Sequence, residues 1–208
     1  MRARLAGASL VVVLTASCTV GDGDGAVHSD SLRVAGCFDG PYDLEPTFFG
    51  AVPYRSQQFI RIQRRNDLIE NSDGVEILVE DTAKVREKLG VPLKVKLPAE
   101  VRPAGVPLIA DPNPAIVQLT LYLHDTCHGQ VSALYAIDGT VTFAHLFDGD
   151  PNETDAGEKL TEGTFDVHVG DPRDQPPGGG VIPPPKLSHL TGQFRFYFQR
   201  GQPAQPFP

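Results

Sequence analysis

A short segment with the sequence HDTCH contains three types of side chain that bind transition metals. Its candidate ligands are His124, Asp125, Cys127 and His128. Imidazole, carboxylate and thiolate are the usual ligands of zinc. A disulfide to another cysteine would consume the Cys127 thiolate, however. We therefore favour a polar loop beside a disulfide over a zinc site in this segment.

The acidic segment DGDPNETD is a second candidate metal site, because oxygen-bearing side chains recur there at alternating positions. Its proposed ligands are Asp148, Asp150, Asn152 and Asp155. The spacing resembles the first part of a calcium loop, in which carboxylate and amide oxygens hold the ion. Glu153 stands where an EF-hand has the glycine of its sharp turn, and a solvated acidic loop explains the same residues. We therefore expect no cofactor, and calcium is the alternative.

Sequence motifs that identify hydrolases are missing. Neither the serine-nucleophile motif GxSxG nor the zinc-protease motif HExxH occurs. His145 and His168 lie on predicted strands, where a lone histidine is typically a surface residue rather than a catalytic base. We therefore expect no enzymatic activity, and an envelope hydrolase with a dispersed active site is the alternative.

Alternating hydrophobic and polar residues predict the strands that must position these side chains. The clearest run has four inward residues, Val117, Leu119, Leu121 and Leu123. Further strands are predicted at residues 58–63, 74–80, 93–97, 164–169 and 193–199. Asp138 and Gly139 separate two more runs and predict a two-residue hairpin turn, because both central positions of that turn need positive φ.

Many short strands separated by Pro and Gly, with almost no helix, predict a single all-β domain at residues 32–208. We expect an antiparallel β-sandwich, and a partly open β-barrel is the alternative because the sequence does not show whether the sheet divides in two. Only residues 82–89 look helical, with Asp81 as the N-cap and Gly90 as the stop. Binding is expected in the long loops rich in Pro and Gly, which are residues 98–114, 148–159 and 171–186.

Residues 1–17 have the features of a secretory signal. Arg2 and Arg4 precede an apolar run that is shorter than the roughly 20 residues that a transmembrane helix needs. The sequence LTASC then resembles the bacterial lipobox, which implies a lipid on Cys18 as the first residue of the mature chain. An ordinary secretory signal is the alternative. The resemblance predicts a lipid-anchored protein of the cell envelope, and Thr19 after the cysteine favours the outer membrane.

The cysteine count supports this interpretation. Lipid on Cys18 leaves Cys37 and Cys127 as a pair, which an oxidising compartment would allow to form a disulfide. Two buried free thiols are the alternative. Residues 18–31 include the sequence GDGDG and lack hydrophobic periodicity, so they predict a flexible tether between the lipidated cysteine and the domain.

The segments FRFYFQRGQPAQPFP at residues 194–208 and DPRD at residues 171–174, together with the lipobox, resemble short uncharacterised lipoproteins of myxobacteria. The resemblance implies an envelope location and no particular chemistry. The formal net charge of −8 argues against nucleic acid as a partner, because phosphate groups would be repelled. We expect a non-catalytic binding or structural module that contacts the membrane through its lipid and binds an envelope protein or a polysaccharide. A calcium-assisted carbohydrate-binding module is the alternative.

Overall fold

The computed structural model describes residues 23–65, 68–103, 116–128, 133–150, 154–155 and 159–198, and in these ranges it contains ten strands and one short α-helix. The strands are β1 (Gly23–Val34), β2 (Phe38–Leu44), β3 (Phe48–Tyr54), β4 (Gln57–Gln63), β5 (Asp73–Val79), β6 (Leu93–Lys94), β7 (Val117–Leu123), β8 (Ala133–His145), β9 (Leu160–Gly170) and β10 (Ser188–Tyr197). The helix α1 is Thr82–Arg86. The predicted signal, Cys18 and Asn152 lie outside the described residues.

The ten strands form one antiparallel sheet with the order β2-β1-β10-β9-β8-β7-β5-β4-β3, in which β6 pairs with β8. The two edge strands, β2 and β3, follow each other in the chain, and only residues 45–47 separate them. The ring of Phe49 on β3 lies 5.9 Å from the ring of Phe196 on β10. The sheet therefore curls until its two edges approach each other. This half-barrel confirms the predicted all-β antiparallel fold, and its single sheet matches the open-barrel alternative.

The core lies on the concave side of the curled sheet. Leu119 and Leu121 on β7 lie opposite Ile77 and Val75 on β5, and all four side chains are fully buried. Removing such a side chain from water stabilises the fold by about 1.5 to 3 kcal/mol. The alternation predicted for residues 117–123 is therefore confirmed, because its hydrophobic residues are the ones that fill the core.

The predicted hairpin at Asp138 and Gly139 is wrong, because β8 continues through both residues. Ile137 has no partner in the register between β8 and β9, which makes it the extra residue of a β-bulge. Gly139 has a φ of 110°, and a Cβ there would stand 2.3 Å from the Asp166 carbonyl oxygen. Glycine is required because the backbone of β9 lies so close.

The predicted tether is wrong from Gly23 onward, because residues 23–31 belong to β1. This strand pairs with β10 on one side and β2 on the other, and Val27 is buried in the core. Gly23 and Gly25 allow close packing, since a Cβ at either would meet the ring of Phe49. These two glycines therefore allow the Phe49 ring to pack directly against the backbone of β1. Residues 18–22 lie outside the described part of the chain.

The two edge strands were not predicted from the sequence. Pro41 lies in β2 and Pro53 lies in β3. Proline has no backbone N–H to donate, so within a sheet it is confined mainly to edges and bulges. The prolines that obscured these strands in the sequence are therefore consistent with their places at the two edges.

Helix α1 begins at the predicted residue, Thr82, but ends three residues before the predicted end at Leu89. The Asp81 side chain accepts a hydrogen bond from the Lys84 backbone N–H at 3.1 Å, which confirms Asp81 as the N-cap. The helix ends at Arg86, and Gly90 has a φ of 76°. Within the described ranges, no helix is both long and apolar enough to cross a membrane.

Candidate functional site

The HDTCH segment is a structural loop. Cys37 and Cys127 form a disulfide with a Cα–Cα distance of 5.7 Å, so Cys127 offers no thiolate and the zinc hypothesis for this segment fails. The buried Asp73 carboxylate accepts hydrogen bonds from the backbone N–H groups of Asp125 and Thr126, at 3.0 and 2.9 Å. The loop is therefore held by β5 and by the crosslink to the β1–β2 hairpin.

The predicted calcium ligands are only partly described. Asp148, Asp150 and Asp155 lie in the described ranges. One oxygen of Asp148 accepts a hydrogen bond from the Asp150 backbone N–H at 2.8 Å, which is the arrangement of a local turn. Among the described residues, no group of three or more His, Cys, Asp or Glu side chains is placed to hold a metal ion. Calcium binding by DGDPNETD remains a prediction.

The DPRD segment packs against the end of the sheet. Arg173 donates to both carboxylate oxygens of Asp171, and Arg33 on β1 forms an ion pair with Asp174 at 2.9 Å. Burial alone would raise the pKa of Asp171, but hydrogen bonds from Arg173 prevail and hold that pKa below its usual value. This part of the loop at residues 171–186 is therefore fixed by charge pairs.

A polar surface lies on four neighbouring strands, on the side of the sheet that faces away from the core. The register of β1, β10, β9 and β8 arranges eight side chains in two rows across the strands. The first row is Ala26, Gln193, Thr164 and Thr142, and the second is His28, Thr191, Asp166 and Thr140. These eight residues, here called the polar face, line a shallow cavity of about 520 Å³.

A second depression of about 260 Å³ continues from the polar face along the strands. It shares Thr142, Thr164 and Gln193 with the first cavity and extends to Glu162 and Arg195. The Arg195 guanidinium lies 3.6 Å from the Glu162 carboxylate. Two rows on one side of a strand are about 7 Å apart, so the combined surface is long enough to contact an extended ligand.

His28 lies at the border of the polar face, between two carboxylates. Its Nδ1 is 2.6 Å from Asp43 Oδ1, and its Nε2 is 3.1 Å from Asp30 Oδ1. The hydrogen bond with Asp43, followed by that with Asp30, raises the pKa of His28 above its ordinary value. Both ring nitrogens donate when the ring is protonated, so the two aspartates favour the imidazolium form.

Two more histidines stand in the row beyond Asp166. His168 on β9 lies directly opposite His189 on β10. His168 Nδ1 is 2.6 Å from Asp138 Oδ1, and His189 Nε2 is 2.8 Å from Asp166 Oδ1. His168 is therefore the surface residue that the sequence predicts, but it belongs to a cluster of histidine–aspartate pairs.

The three histidines contact aspartates, and among the described residues none of them is hydrogen-bonded to a nucleophile. A catalytic histidine needs one nitrogen for an orienting carboxylate and the other for the nucleophile. Both nitrogens of His28 contact aspartates, so His28 has none left for the neighbouring Thr191. For His168 and His189, no hydrogen bond to a serine, threonine or cysteine side chain is found in the described part of the chain.

Sequence reasoning did not identify the polar face as a site. Its signal is present in β9 and β10, where the polar residues Thr164, Asp166, Thr191 and Gln193 alternate with residues that face the other side of the sheet. Such alternation shows only that one side of a strand is exposed. The assembly of one surface from β1, β10, β9 and β8 depends on strand order, which local sequence does not contain.

Comparisons of the chain with protein-family models, curated proteins and solved structures found no match.

Proposed function

We propose that the chain is a lipid-anchored protein of the cell envelope whose half-barrel binds a polysaccharide, without catalysis, through the polar face. The observation that carries this proposal is the pair of registered rows, in which hydroxyl, amide, carboxylate and imidazole groups share one shallow cavity. The sequence predicts binding in the long loops rich in Pro and Gly. The sheet surface is the better candidate, because strands hold side chains in more fixed positions than loops do.

The chemistry of the polar face suits a ligand with many hydroxyl groups. Each threonine offers one O–H donor and two acceptor lone pairs, and a sugar hydroxyl offers the same combination. Threonine is also stiff at χ1 because it is branched at Cβ, so little side-chain entropy is lost on binding. Asp166 and Gln193 add a strong acceptor and an amide with both donors and acceptors.

The charge on this side of the sheet favours a neutral or basic ligand over an anionic one. Asp43, Asp166 and Glu162 lie on it or at its border, and Arg195 is held by Glu162. A polyanion such as nucleic acid would meet these carboxylates and the negative net charge of the chain. A neutral envelope polysaccharide would not be repelled by these carboxylates. A lipid on Cys18 would hold the protein near such a ligand.

The proposal is tested by measuring retention of the purified chain in gels that contain neutral bacterial polysaccharides. The variant Thr142→Val/Thr164→Val removes two central hydroxyls at nearly constant shape. Two lost hydrogen bonds of about 1 kcal/mol each would weaken binding by at least about tenfold. Thr120→Val is the matched control, because Thr120 lies on the neighbouring strand β7 and outside the polar face. Undiminished retention of the double variant, or no retention of the wild type by any neutral polysaccharide, would refute the proposal.

An envelope hydrolase is the second candidate, and one observation favours it. The polar face contains His28 and Asp166, and each forms a hydrogen-bonded pair with a group on the same side of the sheet. A hydrolase would release new reducing ends from the polysaccharide that is retained, and Asp166→Asn would abolish that release. Retention without release supports the binding module.

A further inference from the structure

His168 and His189 form a cross-strand pair on the outer side of the sheet. They are register partners on β9 and β10, and their ring centroids are 5.2 Å apart. Their side chains are 47% and 52% exposed. Both rings can therefore be reached from solvent without any movement of the backbone.

Each ring uses one nitrogen to contact an aspartate and leaves the other without a described partner. His168 contacts Asp138 through Nδ1, and His189 contacts Asp166 through Nε2. A carboxylate holds the proton on the nitrogen that it contacts, so the opposite nitrogen carries a free lone pair in the neutral ring. This carboxylate–histidine arrangement is the one that orients histidine ligands in metal sites.

We propose that His168 Nε2 and His189 Nδ1 together bind a divalent transition-metal ion of the class of zinc, nickel and copper. Such ions favour imidazole, whereas magnesium and calcium favour oxygen ligands. Asp138 and Asp166 orient the two rings through these contacts. No set of three or more metal-binding side chains assembles in the described ranges, so the site has two protein ligands and water completes the coordination. It does not depend on polysaccharide binding.

His28 provides a matched control on the same side of the sheet. Its two nitrogens contact Asp43 and Asp30, at 2.6 and 3.1 Å. It therefore has no lone pair to offer unless one of these contacts breaks. His28 lies on the same surface but lacks the proposed geometry. Comparison with His28 therefore distinguishes a specific site from the general affinity of exposed histidines for metal ions.

The first experiment maps zinc binding on the wild-type protein, so it does not depend on the folding of a variant. Zinc chloride is titrated into the full chain with ¹⁵N-labelled histidines, and the imidazole nitrogens are followed by long-range ¹H–¹⁵N NMR. We expect His168 Nε2 and His189 Nδ1 to shift together before any other histidine nitrogen. Shifts that appear first at other histidines, or none at millimolar zinc, would overturn the proposal.

The second experiment measures zinc affinity by calorimetry. Either His168→Asn or His189→Asn should weaken binding more than tenfold, because each removes one of two ligands. Asp138→Asn should weaken binding by about tenfold through the orientation of His168, and His28→Asn should leave binding unchanged. Equal affinity in the wild type and in His168→Asn, with the same melting temperature, would show that the ion binds elsewhere.

Discussion

Cys37 and Cys127 form a disulfide that joins the tip of the β1–β2 hairpin to the turn after β7, across a sequence separation of 90 residues. The same turn is bound by the buried carboxylate of Asp73 at the start of β5. The crosslink therefore fixes one end of the half-barrel, where an edge of the sheet would otherwise be held by a single neighbouring strand.

Loss of this disulfide should lower the free energy of unfolding substantially. In the chain-entropy model, a closed loop of this length stabilises a fold by about 4 to 5 kcal/mol, because the unfolded chain loses freedom. We expect a decrease of that order in the variant Cys37→Ala/Cys127→Ala, measured by urea denaturation. The wild type in reducing agent should show a similar decrease. An unchanged unfolding midpoint in both cases would contradict the prediction.

Gly139 should not tolerate a side chain. In Gly139→Ala the new Cβ would collide with the β9 backbone at Asp166, and the positive φ would add strain. We expect a loss of about 2 to 3 kcal/mol in the free energy of unfolding. Gly178→Ala is the matched control, because Gly178 has a φ of 95° and no atom within 4 Å of the new Cβ. It should lose about 1 kcal/mol from strain alone, and equal losses would rule out the collision as the cause.

The pKa of His28 should lie above the ordinary value of histidine. Its folded-state pKa is raised by Asp43 and then by Asp30, so its contribution to stability is present at pH values below the unfolded pKa and is lost as the pH rises through the folded pKa. NMR titration should give a pKa above 6.5 for His28. The variant Asp30→Asn/Asp43→Asn should lower that pKa, and a pKa that stays the same would show that the two carboxylates do not cause the shift.

Local sequence was sufficient where burial alone determines structure. The alternation of Val117, Leu119 and Leu121 predicts one buried side of a strand, and β7 has that geometry because no other register removes these side chains from water. The pairing of Cys37 with Cys127 was predicted from the cysteine count and from the expected oxidising compartment. In both cases a few residues determine the outcome: the buried side of one strand in the first, and the pairing of two cysteines in the second.

Local sequence was misleading where pairing with a strand distant in the sequence determines the local structure. Asp138 and Gly139 are as suitable for a tight turn as for a bulge, and β9 selects the bulge by pairing along β8. The contacts of His28 with Asp43 and of His168 with Asp138 join different strands, so they become visible only once the register is known. The polar face was missed for the same reason, since it is a product of strand order.

Pro41 in β2 and Pro53 in β3 affect how the folded protein meets its neighbours. A strand at the edge of a sheet exposes N–H and C=O groups that can pair with a strand of a second molecule. A proline removes one of those donors and interrupts the row. Both open edges of the curled sheet carry such an interruption. The sheet thus keeps two open edge strands, but the prolines hinder edge-to-edge pairing with a second copy of the chain. This protects the protein against aggregation at high concentration.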